Sequence, residues 1–227
     1  MRHIRSTRRD FIGGALALAA SNAVAPGGLA GERTILNDAS RLDPTPVAKH
    51  WRVQTDDGDD FIASLRSELA EAAAAKRPVA VGVARHSMGG QSLPRDGTAI
   101  TLSGRVLQPD VAARTYLVSA GARWADVIRT LDPLGFSPAV MQSNNDFGVG
   151  STYCVNAHGW PVPYGPFGST VRSLRMMLAD GSIVECSRSK NSELFSLSMG
   201  GYGLFGIILD LELDIRPTCS SPPSWRS

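Results

Sequence analysis

Apolar residues at Phe61, Ile62, Leu65 and Leu69 recur at the i, i+3, i+4 spacing of an amphipathic helix. Asp57, Asp59 and Asp60 stand ahead of it as caps, and the pattern runs to about Lys76. Pro78 then opens an alternating strand, "VAVGVAR", and further strands fit "WRVQ" before the helix and "TAITL" and "TYLVSAG" after it. Helical spacing resumes through Trp124, Ile128 and Leu131 and is ended by Pro133 and Gly135. "TVRSLRMMLADGSIVECS" places apolar runs on both sides of Asp180 and Gly181, the local chemistry of a hairpin. A short helix fits "NSELFSLSM", capped by Asn191 or Ser192 with Glu193 at its positive end. The last element, "IILDLELDI", alternates from Leu209 onward as a half-buried strand. Strands outnumber helices and hairpins mix with helical crossovers, which predicts an α+β domain rather than a doubly wound α/β sheet.

This pattern occupies residues 45–217 and leaves different material on either side. Residues 31–44 are polar and proline-bearing and read as a linker, while 218–227, rich in Ser and Pro, read as a disordered tail. Residues 1–30 place Arg8 and Arg9 before Phe11 and a short apolar run, the pattern of a twin-arginine export signal with small residues for cleavage near Ala25 or Ala30. An amphipathic N-terminal helix or an uncleaved anchor is the plainer alternative. The signal reading predicts a periplasmic or secreted protein with no membrane attachment once the signal is removed. It also changes the charge. The chain is +2 overall, but residues 1–30 hold four arginines against Asp10, so the remainder is slightly acidic. No basic patch with interleaved aromatics survives, and a nucleic-acid partner is not expected. With 227 residues and 43% hydrophobic composition, the chain can bury one ordinary core or two small ones. Cys154, Cys186 and Cys219 allow at most one bridge, and Cys154 with His158 is too sparse a pair to indicate a metal site.

Three glycine clusters carry the candidate chemistry. "GGYGLFG" contains Gly201, Gly203 and Gly206 at the dinucleotide-binding spacing. Here, however, a helix precedes and a strand follows, the reverse of what a pyrophosphate at a helix N-terminus requires. "VAVGVARHSMGGQSLP", residues 79–94, is a strand breaking into a Gly-rich loop, whose converging amides suit an anionic diphosphate, with Ser87 and Gln91 adding side-chain hydrogen bonds. A tight turn at Gly89 and Gly90 capped by His86 is the structural alternative. Residues 146–171 gather Gly148, Gly150, Ser151, Thr152, Asn156, His158 and Gly159, small enough for close approach to a flat ligand. Together they suggest an elongated ligand with a charged middle.

"ARHSMGGQ", "GVGSTYCVNAHG", "TVRSLRMMLADGSIVECS" and "ELFSLSMGGYGLFGII", in this order, resemble the flavin domain of the vanillyl-alcohol oxidase and p-cresol methylhydroxylase superfamily, over roughly residues 45–217. The resemblance implies a PCMH-type fold of two α+β subdomains clasping FAD. Residue by residue, it implies that Val83, Ala84, Arg85, Ser87 and Gln91 surround the FAD diphosphate and that His86 occupies the position of covalent attachment to the flavin 8α carbon. It further implies that Gly148, Gly150, Ser151, Thr152 and Asn156 follow the flavin and diphosphate, and that Ile207 meets the other end of the nucleotide. His158 is either a contact to the ring or a structural histidine. Arg85 stands where members with covalent flavin commonly have glycine; it either neutralises phosphate charge or, by its bulk, moves the loop. The activity implied is hydride transfer to flavin from a C–H next to oxygen or nitrogen. The base-bearing substrate domain is expected to be absent from this chain, truncated or supplied by a second polypeptide. The alternatives are a non-catalytic flavin module or a cofactor subunit.

Overall fold

A computed structural model describes residues 34–55, 58–104, 107–159 and 163–218. The export-signal residues and those from 219 onward lie outside the described residues. The first described element is β1 (Thr34–Leu36), paired antiparallel with β2 (Thr45–Val47). The segment read as a linker is thus tied into the fold. Between these strands Asp38 is only 4% exposed.

After β3 (Lys49–Thr55) come α1 (Asp59–Ala74), β4 (Val79–Gly82) and β5 (Thr98–Gly104). The strands pair in parallel in the order β3-β5-β4, with Trp51 and Val81 both opposite Ile100. Parallel neighbours need a crossover, which α1 supplies between β3 and β4. Its apolar face buries Phe61 and Leu65 against Ile100 and Leu102 of β5. β5 is buried at nearly every position rather than every second one, as a strand covered on both faces must be. Asp57 lies outside the described residues, and among the described ones no acidic side chain caps α1. The chain enters through Gly58, and Asp59 and Asp60 lie in the first turn, at the positive end of the helix dipole.

The second half contains β6 (Leu107–Asp110), β7 (Thr115–Ser119), α2 (Trp124–Leu131), β8 (Phe136–Pro138), α3 (Val149–Cys154), β9 (Val171–Met177), β10 (Ile183–Ser187), α4 (Ser192–Ser198) and β11 (Ile207–Pro217). An antiparallel sheet runs β10-β9-β11-β7-β6, with β8 on the far end of β11. The β9–β10 hairpin forms where Asp180 and Gly181 predict it. Gly181 is left-handed at φ +80°, and Asp180 Oδ1 accepts from the Ser182 amide at 2.9 Å and its hydroxyl at 2.6 Å. Asn191 precedes α4 but does not cap it, because its side-chain amide donates to the Glu185 carbonyl.

β11 departs from simple alternation. Between Ile208 and Asp210 its register against β9 shifts, with one extra residue opposite the partner strand. A bulge of this kind reverses which face later residues occupy. Leu209 therefore joins Ile207 in the apolar cluster around Phe61, Leu65 and Ile100, whereas Leu211, Leu213 and Ile215 join the larger cluster around Trp124, Tyr153 and Phe195. The expectation that all four leucine and isoleucine positions from Leu209 onward share one face is corrected here. The whole is an α+β fold.

Candidate functional site

A cleft of about 740 Å³ runs past the end of β4, the start of α3 and the segment leading into β11. Val83, Ala84, Arg85, His86, Ser87, Gln91, Gly148, Gly150, Ser151, Thr152 and Ile207 all line it. Asn156 and His158 do not. Asn156 turns away at φ +44°, its Oδ1 accepting from the Gly168 amide at 2.9 Å. His158 is exposed.

The loop after β4 bends sharply because Arg85, Gly89 and Gly90 all take left-handed backbone, at φ +51°, +66° and +75°. It is held from outside the cleft by the segment between β1 and β2. The Asp38 carboxylate accepts from Ser87 Oγ at 2.7 Å, from the Gly90 amide at 2.7 Å and from the Ser40 hydroxyl at 2.6 Å, while Ser40 Oγ accepts from the Gly89 amide at 2.9 Å. The Ala39 amide donates to the Arg85 carbonyl at 3.0 Å. The two glycine amides expected to cradle an anion are thus already bound to a protein carboxylate and hydroxyl. Among the described residues, the amides of His86, Ser87 and Gln91 keep no partner, and these three residues face the cleft.

Hydrogen bonds from Ser40, and after it Ser87 and Gly90, hold the Asp38 carboxyl down to about 2, against an ordinary 3.8. A pKa lowered by folding stabilises the folded state above the unfolded value, and that contribution disappears as pH falls through the folded one. Asp38 therefore supports the fold fully above about pH 4 and loses this role between roughly pH 4 and 2. Acid unfolding followed by circular dichroism should show this: Asp38→Asn flattens the pH dependence in that window, whereas an unchanged acid limb would remove Asp38 as its cause.

Arg85 takes a place other than the one expected at a diphosphate. Its guanidinium lies against β4 and β5, donating to the Ser92 carbonyl at 2.6 Å and the Ile100 carbonyl at 2.8 Å. Burial pulls its pKa down to about 10, still charged at neutral pH. The side chain ties the loop to the sheet instead of meeting an anion.

The glycines of the second cluster serve chain-to-chain packing as well as the cleft. A Cβ at Gly148 would sit 2.6 Å from Val83 Cβ, and one at Gly150 would sit 2.7 Å from Ala120 Cβ and 3.0 Å from its carbonyl oxygen. These residues bring α3 against the ends of β4 and β7. Within the second cluster Val149–Cys154 form this helix, and its first amides are used. Val149 N donates to Ala122 O at 2.9 Å and Gly150 N to Ala120 O at 3.1 Å. Thr152 is committed too, its hydroxyl donating to Gly148 O at 2.8 Å and accepting from Trp124 Nε1 at 2.9 Å. Gly150→Ala should cost about 1–3 kcal/mol through overpacking, read as a lowered midpoint in urea. A midpoint equal to wild type would mean that the gap beside Ala120 relaxes freely.

His86 is the best-positioned reactive side chain of the cleft. Its Nε2 lies 2.8 Å from Asp146 Oδ2, and its ring stacks on Phe147 with centroids 4.4 Å apart. Asp146 also pairs with Arg123. The bond from His86, and then that from Arg123, lowers the Asp146 pKa and keeps the carboxylate ionised. An ionised acceptor fixes the proton on Nε2, leaving Nδ1 as the imidazole's open nitrogen.

Several lining residues were not among the expected contacts. Gln142 and Phe147 reach the cleft from the loop before α3. Cys154 lines it as well, its thiol pushed up to about 11 by burial and so kept protonated. At the mouth Tyr202 and Leu204 are 76% and 86% exposed. The bracketing of Phe147 by Asp146 and Gly148 was the available signal, since an acidic residue just before a glycine cluster can reach the histidine of another.

The family described as FAD binding domain matches residues 62–187 of this chain. Cytokinin dehydrogenase 8 of Oryza sativa subsp. indica is 30% identical over 219 residues, covering 85% of this chain and 40% of that protein. L-gulonolactone oxidase of Mus musculus is 31% identical over 113 residues, covering 50% of this chain and 26% of that protein. An uncharacterized oxidoreductase, ORF5 in the fasciation locus of Rhodococcoides fascians, is 30% identical over 166 residues, covering 73% and 38%. The chain spans at most about two-fifths of the length of these relatives.

Proposed function

This chain belongs to the FAD-binding domain family, and from that premise we propose that it is the flavin-bearing part of an exported oxidoreductase, with FAD held in the cleft between the β4 loop, α3 and the approach to β11. FAD is its cofactor, and the residues present fit it. The cleft, of about 740 Å³, is lined by the β4 loop, α3 and the approach to β11, and unpartnered amides of His86, Ser87 and Gln91 suit a diphosphate. When bound, the flavin supplies the redox chemistry, accepting a hydride from a C–H next to oxygen or nitrogen.

The chain's own residues bind and orient. Asp38, Ser40 and Arg85 hold the β4 loop in shape, Gly148 and Gly150 bring α3 up to it, and Asp146 with Phe147 orients the His86 imidazole. His86 is the residue that would hold the flavin covalently, through the open nitrogen of its oriented imidazole. A two-subdomain arrangement is supported by the separate parallel and antiparallel sheets and by two apolar clusters, both fed by β11, whose residues meet at the cleft.

The substrate-covering part is proposed to lie outside residues 45–217, either further along a longer chain or in a second polypeptide. What supports this is the share of the relatives' length that the chain spans, together with the exposed Tyr202 and Leu204 at the cleft mouth. Export rests on Arg8 and Arg9 before Phe11. No helix of the described residues is long and apolar enough to cross a membrane.

The single observation carrying the proposal is the convergence of all but two of the expected FAD contacts on one cleft. Titration with FAD tests it: the purified chain should quench flavin fluorescence and acquire a structured flavin spectrum. Absence of both after flavin feeding rejects the reading, and turnover of alcohols or amines by this chain alone rejects the need for a further substrate part.

A further inference from the structure

Resting on the FAD reading, we infer that Tyr202 selects the dinucleotide, its phenol ring stacking on the adenine of FAD at the mouth of the cleft. Tyr202 lines the cleft and is 76% exposed, so a ligand there can reach it. Its backbone is left-handed at φ +54°. Among the described residues the other non-glycine positions with positive φ are arginine, lysine, asparagine or aspartate, and Tyr202 is the one aromatic among them. A bulky residue in this region is an outlier, and strain of this kind gathers at ligand sites. Glycine is the usual remedy and the turn already uses it, with Gly200 and Gly203 left-handed at φ +75° and +77°. A tyrosine kept beside them, with most of its surface in solvent, is not held there by packing of the fold.

The turn is anchored on two walls of the cleft. The Tyr202 amide donates to the Cys154 carbonyl at 2.8 Å and the Gly200 amide to the Tyr153 carbonyl at 3.1 Å, which fixes its start to the end of α3. Its other end is fixed at β9, since a Cβ on Gly206 would fall 2.7 Å from the Met177 carbonyl oxygen. Phe205 folds back inside the turn, its ring 2.9 Å from where a Cβ of Gly201 would stand, and Tyr202 is left as the aromatic side chain of the turn open to a ligand. The length of α3 separates this turn from the flavin end. Gly148 abuts Val83 and the His86 loop, and the six-residue helix then carries the chain roughly 9 Å onward to Cys154. With His86, Phe147 and the unpartnered amides of the β4 loop at the first end, the isoalloxazine and diphosphate belong there, and the adenosine half extends past α3 toward Tyr202. An adenine is flat and offers a π-face, which an exposed tyrosine ring can cover.

The His86→Ala chain, in which binding is reversible, serves as the starting protein. Its affinities for FAD and for FMN, which lacks the adenosine half, are read by flavin fluorescence, and thermal melts are run without added flavin. Tyr202→Ala should weaken the Kd for FAD roughly ten-fold and leave that for FMN unchanged. Tyr202→Phe, which keeps the ring, should retain the starting affinity for both. Melting temperatures should be equal in all three chains, because the ring is exposed. Unchanged FAD affinity in Tyr202→Ala overturns the inference. So does an equal loss for FMN, which sets the ring against the flavin half, and so does a loss in Tyr202→Phe as large as in Tyr202→Ala, which assigns the effect to the hydroxyl. A melting temperature lowered together with the affinity also overturns it, because Tyr202 then serves the fold. Failure of the wild-type chain to take up FAD is a separate outcome, which sinks the cofactor reading before any variant is compared.

Discussion

Flavin bound to His86→Ala should leave the protein on acid precipitation, whereas the wild-type pellet should keep its colour. The all-or-none contrast follows from geometry. Nε2 is engaged by Asp146 at 2.8 Å and the ring lies on Phe147, so the imidazole has one open nitrogen and one orientation. Alanine removes that nitrogen but leaves the cleft otherwise intact, so FAD is still taken up reversibly. Asp146→Ala is the informative companion. It frees the ring and the tautomer without removing the nucleophile, and should lower the acid-stable fraction while sparing total uptake. Colourless wild-type pellets from a chain that binds FAD would assign His86 to non-covalent packing.

Trp124→Ala should cost about 3–5 kcal/mol, and for a chain of this size that lowers the melting temperature by roughly 10 °C. Trp124 is fully buried, meets Phe167 edge-on at 5.2 Å between centroids, and donates from Nε1 to Thr152 on α3. Its loss opens a cavity and frees the helix that forms one wall of the cleft, so flavin uptake should fall with stability. Trp124→Phe separates the two contributions. It fills most of the space but gives up the indole hydrogen bond, about 1 kcal/mol. Equal midpoints for the alanine and phenylalanine variants would show that the hydrogen bond, not the packing, carries the effect.

Features whose causes are local were legible in the sequence. The Asp180–Gly181 hairpin, the Phe61–Leu69 helix and the buried "TAITL" strand depend on neighbours a few residues away, and each forms where its pattern predicts. The β4 loop and the α3 region also come together at one cleft, as their glycine content suggested. What could not be read depends on partners far along the chain. Nothing near Asp38 reveals that its carboxylate meets Ser87 and Gly90 about fifty positions later, so its segment reads as a linker. The resemblance sets Arg85 beside the diphosphate, either neutralising phosphate charge or moving the loop by its bulk. Its left-handed φ of +51° and its bonds to the Ser92 and Ile100 carbonyls instead give it a role in holding the loop to the sheet. Gly148 and Gly150 were read for a ligand, yet their nearest constraints are Val83 and Ala120. Asn156 lies in the turn that ends α3 with its side chain held by the Gly168 amide, and His158 is exposed, although Ala157 between them lines the cleft.

The extra residue in β11 has a consequence for how the molecule comes apart. Because that one strand feeds Ile207 and Leu209 into one apolar cluster and Ile208, Leu211 and Leu213 into the other, neither cluster can melt without pulling on a ladder shared with its neighbour. Amide exchange along residues 207–213 should therefore track global unfolding, and the halves should lose protection in a single cooperative step. A cofactor bound beside Ile207 would then slow exchange on both sides of the strand at once.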